Sequence, residues 1–279
     1  MRLFVTGSKG QLGRALQRVA PSLGHDFIGR DLPELDITDA VAVRLAVRDA
    51  RPDAVINCAA FTSVDAAEAD EATALAVNGT AVGPLASAAD ESGALLVQIS
   101  TDYVFDGTAE RAYREDDPVN PRSAYGRTKL AGEVAAKTSR RHLVIRTAWL
   151  FGEGHNFVEA IRKQVEAGAT SLRVVADQRG CPTHAEDLAD AIVRLIAAGA
   201  TGVVHAVNSG DTTWFEFARE IVRRLGSTAE VVPISNVEAN RPAPRPACSL
   251  LDTSKLRAIL GAGLPPWQDA LQRYLASTG

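Results

Sequence analysis

Tyr125 and Lys129 stand four residues apart in the segment Ser123–Gly132, SAYGRTKLAG. On a helix, residues at this spacing project from one face about a turn from each other, so a phenol and an ammonium are predicted to share one patch. A cation beside a tyrosine favours the phenolate and lowers its pKa from near 10 toward working pH, which makes proton transfer the chemistry to look for. Taken alone, the spacing suits a solvated helix face equally well. Upstream, the apolar run Leu95–Ile99 delivers Ser100, Thr101, Asp102 and Tyr103 to its carboxyl end. Thr101 is expected to face the helix that carries Tyr125 and Lys129, so that a hydroxyl, a phenol and an ammonium converge.

The amino-terminal part of the chain reads as the frame for that constellation. Arg2–Thr6 is predicted as a short strand running into Gly7, Gly10 and Gly13 of GSKGQLG, with the helical pattern of Leu12, Leu16 and Val19 behind them. Strand, glycine-rich turn and helix is the arrangement a dinucleotide site needs. Glycine lets the backbone turn tightly against a pyrophosphate, and free N–H groups at the helix start hold its charge. The spacing here is G-x-x-G-x-x-G, and turns of this kind also occur in a purely structural role. A second strand at Phe27–Gly29 ends at Arg30 and Asp31, about 18 residues past Gly13, where such folds place the side chains that read the adenosine ribose. The acid favours a free 2′-hydroxyl and the arginine a 2′-phosphate, so NADH and NADPH both stay open. Asp36 before Ile37 suits an adenine cradle or a turn. Thr38 and Asp39 are expected to cap a helix reaching about Asp49, with Val41 and Leu45 on its inner face.

Ala54–Cys58 is a continuous apolar run, as a parallel strand covered on both sides requires, and it ends in Ala59, Ala60, Phe61 and Thr62. Small residues there leave room for a ligand at the carboxyl edge of the sheet. The alanine-rich stretch Ser63–Gly93 reads as one helix, or as two with a break near Gly79 to Pro84. Leu143–Thr147 is a further strand, and Trp149 just past its end is either core or a stacking wall for a sugar. Helices are then predicted at Asn156–Ala167, His184–Ala198 and Thr213–Leu225, strands at Leu172–Val175, Val203–Val207 and Glu230–Ile234. The proline-rich loop Asn240–Ser249 and two short helices, Ser254–Leu260 and Pro266–Ala276, complete the pattern. The fold class expected is α/β, a doubly wound parallel sheet (Rossmann) over residues 1–150. Residues 151–279 form a smaller, interleaved C-terminal α/β substrate domain, of which about 184–210 returns to the first.

Composition narrows the functional classes. With 279 residues, 46% of them apolar and 23% charged, the chain matches globular proteins, and its net charge of −4 speaks against nucleic acid as a partner. No run approaches the roughly 18 to 20 apolar residues that span a bilayer. The start, MRLFVTGSKG, enters a strand-like run without a leader pattern. Three cysteines, Cys58, Cys181 and Cys248, are widely spaced and the five histidines are scattered, which supports neither a disulfide framework nor a metal site. A reducing cytoplasm, no membrane and no metal are the expectations.

GSKGQLG at the start, STDYVFDG from Ser100, YGRTKLAGE from Tyr125 and RTAWLFG from Arg146 together resemble the extended short-chain dehydrogenase/reductases. The likeness continues through Asn156 and Phe157, DQ-x-G-x-PT from Asp177 to Thr183, TTW at Thr212–Trp214 and RP-x-x-S-x-LD from Arg245 to Asp252, so it covers nearly the whole chain. The branch it is most similar to reduces the 4-keto group of dTDP-4-dehydro-β-L-rhamnose to give dTDP-β-L-rhamnose for cell-wall polysaccharide, with hydride from NADPH or NADH. By that resemblance Tyr125 is the general acid at the C4 oxygen, Lys129 lowers its pKa and holds the nicotinamide ribose, and Thr101 hydrogen-bonds the reacting oxygen. Asp102 and Tyr103 meet the substrate, Trp149 packs on the sugar or base, and Asn156, Arg241 and Arg245 are further substrate residues, the arginines for the diphosphate. Gly7, Gly10, Gln11, Leu12 and Gly13 match the pyrophosphate turn, and Arg30, Asp31, Asp36, Ile37, Ala60, Phe61 and Thr62 the remaining cofactor contacts. Phe61 stands where many relatives carry histidine, and Cys248 where asparagine is usual. Some members dimerise through magnesium held by a glutamate just after the glycine-rich turn. Here Arg14 and Ala15 follow Gly13, so the expectation is a monomer or weak homodimer without a magnesium link. Two other readings stay open: a reductase or epimerase acting on another nucleotide 4-keto sugar, and a non-catalytic NAD(P)-binding regulatory subunit. Retention of Thr101, Tyr125 and Lys129 together favours an enzyme.

Overall fold

A computed structural model of the chain describes residues 1–278. Its centre is a six-stranded parallel sheet. Five of its strands are β1 (Arg2–Thr6), β2 (Asp26–Arg30), β3 (Ala54–Asn57), β4 (Leu95–Thr101) and β5 (His142–Thr147), and the sixth is Gly202–His205. From one edge the order is Gly202–His205, β5, β4, β3, β1, β2. From β1 the chain goes first to β2 on one side and then to β3 on the other, so the strand order reverses between β1 and β3. The crevice at their carboxyl ends is where open sheets of this kind bind ligands. The sheet is the doubly wound one expected from the apolar runs.

Alternation along the strands sends side chains to two cores. Leu3, Val5 and Ile56 pack with Leu12 and Leu16 of α1 (Gln11–Ser22) and with Leu188 and Ile192 of the returning helix Ala185–Ala197. Phe4 and Val55 pack on the other face with α2 (Ala40–Ala50) and with Leu85 of the helix Val82–Ser92. In α2 the inward residues are Val43 and Val47, both fully buried, whereas the expected Val41 and Leu45 are 69% and 43% exposed. The sequence offers two apolar stripes at the same spacing. Only the one facing Val82–Ser92 is covered, where Val43 and Val47 pack with Leu85 and Ala89, while Asp39 caps the helix by accepting from the Val41 and Ala42 N–H groups.

The alanine-rich stretch is more divided than either alternative, and Pro84 lies within its last helix. It is divided into α3 (Val64–Ala69), α4 (Glu71–Leu75) and α5 (Val82–Ser92), with one π-helical turn at Ala76–Thr80 between the last two. Pro84 sits inside the first turn of α5, where its missing N–H has no intrahelical partner to lose. The Y-x-x-x-K segment is helix α6 (Ala124–Ala136), capped by Ser123 Oγ accepting from Gly126 N at 3.1 Å.

Beyond β5 a second group of elements builds its own core. Helices at Phe157–Glu166 and Trp214–Arg224, the parallel pair Ser171–Val175 with Glu230–Ile234, and the helix Trp267–Thr278 enclose Phe151, Ile161, Phe217, Trp267 and Leu271. Ala185–Ala197 and Gly202–His205 return to the central sheet, the latter in register with β5. No helix among the described residues is long and apolar enough to cross a membrane.

Candidate active site

Helix α6 lies against the carboxyl end of β4 because the chain removes what would hold it away. A Cβ at Gly132 would meet Asn78 O of the π turn at 2.1 Å, closer than any real contact, so only glycine permits this approach. Asn78 is itself a hub. Its Oδ1 accepts from Phe61 N at 2.8 Å, and its Nδ2 donates to Phe61 O at 3.0 Å and to Thr128 Oγ1 at 3.1 Å. One buried amide thereby ties the segment Ala60–Thr62 at the end of β3 to α6. A second lock is ionic: Arg146 of β5 forks onto Glu133 of α6 with both bonds at 2.8 Å, and Ser100 Oγ donates to the same carboxylate at 2.6 Å. All three are buried, and the guanidinium also covers the Phe105 ring with its carbon 4.9 Å from the centroid.

Between these locks Thr101 ends β4, and Tyr125 and Lys129 stand one turn apart on α6. Thr101 Oγ1 is 2.8 Å from Asp102 Oδ1, accepts from Tyr103 N at 3.2 Å, and lies close enough to the Tyr125 phenol to favour its charged form. Tyr103 meets Tyr125 edge to face with ring centroids 5.5 Å apart. Lys129 is 3% exposed and donates from Nζ to Ile99 O at 2.6 Å. Burial pushes its pKa down to about 8, against the pull of Glu133 and Cys58. Burial drives the Cys58 thiol up to about 12. The expected effect of Lys129 on Tyr125 is corrected: the phenol's pKa is raised, first by burial and then by the Asp102 charge, with only Thr101 opposing. Asp102 is displaced in the same sense, to about 6, because its carboxyl group is withdrawn from water while Ser249 and Thr101 offset only part of the cost.

The glycine-rich turn fits a dinucleotide pyrophosphate. Gly7 has φ +65°, and a Cβ there would lie 2.5 Å from Ala59 N, so β1 and β3 approach closely only because the side chain is absent. Gly10, the residue before α1, provides no side-chain cap, which leaves the N–H groups of the first turn free for an anion. Leu12 points into the core, so its part in such a site is its backbone. Gln11 donates to His155 O at 3.2 Å, and its Oε1 is buried without a hydrogen-bond partner among the described residues. Asp31 Oδ2 accepts from Lys9 N at 2.8 Å, holding the turn to the end of β2, while Arg30 is exposed beside it. A cleft of about 540 Å³ next to them is lined by Ser8, Lys9, Arg14, Phe27, Gly29 and Arg30, among others. Asp36 is the turn residue of the two alternatives: Oδ1 accepts from Thr38 N at 2.9 Å and Thr38 Oγ1 at 2.8 Å. Ile37 is a core residue packed with Phe4. The Ile37 side chain is thus buried, while Asp36 is exposed with Oδ1 engaged in the turn.

On the opposite side, Trp149 adopts a left-handed backbone, φ 47°, and stacks on Trp214 at 3.6 Å and 9°. A bulky residue in that region is strained and is held there by its surroundings, as functional walls often are. Trp214 was not singled out by the reading of the residues; its signal is the TTW segment alone. Two expected substrate residues turn out to be committed to the fold. Asn156 caps the helix Phe157–Glu166, its Oδ1 accepting from Glu159 N at 3.1 Å and its Nδ2 donating to Gly152 O at 2.5 Å and Gly154 O at 3.1 Å. Arg245 forks onto Asp65 of α3 at 2.6 and 2.8 Å and donates to Ala243 O at 2.7 Å, which pins the late loop over the sheet edge. Arg241 is exposed nearby.

The whole chain, residues 1–279, matches the family described as RmlD substrate binding domain. It belongs to that family. Among relatives of this RmlD-family chain is the dTDP-4-dehydrorhamnose reductase of Streptomyces griseus, 45% identical, with 97% of this chain and 91% of the relative covered. A probable dTDP-4,6-dihydroxy-2-methyloxan-3-one 4-ketoreductase of Streptomyces antibioticus is 44% identical over 98% of this chain and 94% of its own. The crystal structure of dTDP-4-dehydrorhamnose reductase from Bacillus anthracis in complex with NADP superposes with a TM-score of 0.96 at 36% identity, covering 99% of both chains.

Proposed function

We propose that this chain is an NAD(P)H-dependent oxidoreductase that reduces the 4-keto group of dTDP-4-dehydro-β-L-rhamnose, giving dTDP-β-L-rhamnose. What supports the reading is that α6 carries Tyr125 and Lys129 one turn apart against the carboxyl end of β4, where Thr101 lies, in a chain whose first strand runs into a glycine turn with uncapped helix N–H groups. The family membership and the NADP complex of a relative support the same chemistry. The dinucleotide, when bound, supplies the hydride that reaches C4.

Reduction needs a proton donor at the carbonyl oxygen, and a phenol can donate only while protonated. Burial and the Asp102 charge keep Tyr125 in that form, so the environment that opposes a resting phenolate suits a general acid. Lys129, held by Ile99 O on the helix face of Tyr125, is the cation that steadies negative charge as it develops and the donor for a ribose hydroxyl. The stacked pair Trp149 and Trp214 forms the apolar wall against which the sugar or base lies. Arg241 is free to reach the diphosphate, whereas Arg245 acts by ordering the loop that carries it. Residues from about 151 onward shape the sugar side, with 184–210 belonging to the dinucleotide half. Three free cysteines fit a cytoplasmic site of action. A monomer or weak homodimer without a bridging magnesium fits the turn after Gly13, which carries Arg14, paired with Glu153, and no carboxylate.

The Streptomyces antibioticus relative, named for a different 4-keto substrate, supports a second reading in which the chemistry is the same and the sugar differs. The test supplies dTDP-4-dehydrorhamnose and follows loss of NADPH and NADH in parallel. Rapid oxidation of at least one is expected, and oxidation of neither would sink the assignment of substrate.

A further inference from the structure

Acidic residues recur at every third position where α3 passes into α4, at Asp65, Glu68 and Glu71, and each meets a different partner. Asp65 forks onto Arg245 at 2.6 and 2.8 Å and accepts from Ala243 N at 3.0 Å. Glu68 accepts from Ala124 N at 2.6 Å. Glu71 pairs with Arg127 at 2.8 and 2.6 Å, and because both of those side chains are exposed the pair contributes little. The first two contacts are of another kind. The Arg245 side chain is 8% exposed, and Ala124 is fully buried. Ala67, between the two acids, is also fully buried and shares with Ala124 a cluster against which Tyr125 packs.

Each of these contacts holds something the reaction needs in place. The first N–H groups of a helix have no partner within it. At the start of α6, Ser123 takes Gly126 N, and Glu68 reaches across from α3 to take Ala124 N. The same turn is pressed against the end of β4, since a Cβ at Gly126 would lie 2.3 Å from Tyr103 O. Tyr125 stands between these two held residues. The late loop is fastened on either side of Pro246: Asp65 holds Ala243 and Arg245, while Cys248 N donates to Gly107 O at 3.0 Å and Ser249 N to Arg179 O at 2.7 Å. Arg245 first, and more weakly Arg241, the cation assigned above to the diphosphate, keep the Asp65 carboxyl below the usual carboxylate range, so both arginines of the loop lie within its field.

We infer that Asp65 and Glu68 are positioning residues: α3 holds the diphosphate loop through Asp65 and the first turn of α6 through Glu68, and so sets the distance between the loop that grips the substrate and the phenol that protonates it. The two acids lie three residues apart on one helix and face neighbouring positions, so a shift of the loop is passed on to Tyr125. A misplacement of about 1 Å is enough to cost an enzyme much of its rate. This spacing therefore matters to catalysis although both carboxylates are occupied by the protein itself. The role rests on the ketoreductase reading above for the sugar and its C4 oxygen, whereas the link from loop to α6 does not depend on it.

The test begins with Asp65→Asn, which breaks the fork on Arg245, and Glu68→Ala, which leaves Ala124 N without its acceptor. Each is expected to lower kcat for dTDP-4-dehydrorhamnose by about tenfold or more, with the NADPH dissociation constant from fluorescence titration little changed. KM for the sugar should rise in Asp65→Asn and stay level in Glu68→Ala. Glu68→Gln keeps an acceptor for Ala124 N and should restore the rate, and Glu71→Gln should behave as wild type. Because both losses cut one bridge, the double variant Asp65→Asn with Glu68→Ala should lose no more kcat than the worse single one. Losses that multiply in the double variant, an effect of Glu68→Ala on KM alone, no rescue by Glu68→Gln, or an equal loss in Glu71→Gln would overturn the inference. Amide hydrogen exchange of the wild type tests it without variants or turnover. Addition of dTDP, which lacks the sugar that meets Tyr125, should slow exchange in residues 240–249 and, through α3, in residues 123–128. Protection confined to the loop, or absent from both segments, overturns the bridge even if the variants fail to fold. If the wild type shows this pattern but oxidises neither NADPH nor NADH with dTDP-4-dehydrorhamnose, the substrate assignment alone has failed.

Discussion

Ser100 and Thr101 are neighbours at the end of β4, and each anchors a buried polar cluster of opposite character. Around Ser100 every group is satisfied: Glu133 accepts from Ser100 and from both prongs of the Arg146 fork, and Arg146 also reaches Glu115 O. Around Thr101 the groups are left short: one hydroxyl serves Asp102 and Tyr103 N with the Tyr125 phenol beside it, and Asp102 Oδ2 has no hydrogen-bond partner of normal geometry among the described residues. A saturated buried network fixes the distance between β4, β5 and α6 and has nothing to offer a ligand. An unsaturated one, held by that frame, is where a substrate oxygen and a moving proton find room.

Substitutions on the two sides of this contrast should differ in kind. The largest effect is on turnover: Tyr125→Phe is expected to lower kcat by about 10²-fold or more while NADPH still binds, as read by steady-state rates and fluorescence titration. On the saturated side, Glu133→Gln leaves the Arg146 charge buried without its counterion and should reduce unfolding free energy by about 3–5 kcal/mol, measured by urea denaturation.

The unsaturated side should respond with the opposite sign. The folded-state pKa of Asp102 lies above the usual carboxylate range, at about 6. The folded protein therefore binds this proton more tightly than the unfolded chain, and keeping the site ionised at neutral pH costs stability. Asp102→Asn should raise stability near pH 7.5 by up to about 3 kcal/mol, with the gain fading as pH falls toward 4. A loss of stability at neutral pH would mean that Asp102 belongs with the saturated frame. The smallest effect is expected at the periphery, where Asp36→Ala removes an exposed turn bond at a cost near 1 kcal/mol and leaves the NADPH dissociation constant unchanged. A marked rise in that constant would restore Asp36 to the cofactor site.

What the sequence made legible follows the same division. Thr101, Tyr125, Lys129 and the glycine turn were readable because each depends on local spacing or on its place at a strand end. The frame was not, because its partners meet across the chain. Asn78 looks like one polar residue in an alanine-rich helix until Phe61 and Thr128 close around it. Glu133, one turn past Lys129, reads as solvated until Arg146 arrives from β5. Arg245 looks free for phosphate, and its carboxylate partner Asp65 lies 180 residues away. Periodicity could not choose between the stripes of α2, since Val41 and Leu45 repeat at the spacing of Val43 and Val47 and the choice is made by packing. Asn156 carries a residue type suited to both a sugar contact and a helix cap, and here the cap prevails.

The most direct test of the central claim follows the hydride itself. Wild-type protein is given dTDP-4-dehydrorhamnose with NADPH or NADH carrying deuterium at the transferable position, and the sugar product is examined by NMR. The account predicts one deuterium at C4 of a dTDP-6-deoxyhexose, with Tyr125→Phe forming that product at least about 10²-fold more slowly. Deuterium at another carbon, or full-rate labelling by the Tyr125→Phe variant, would contradict it.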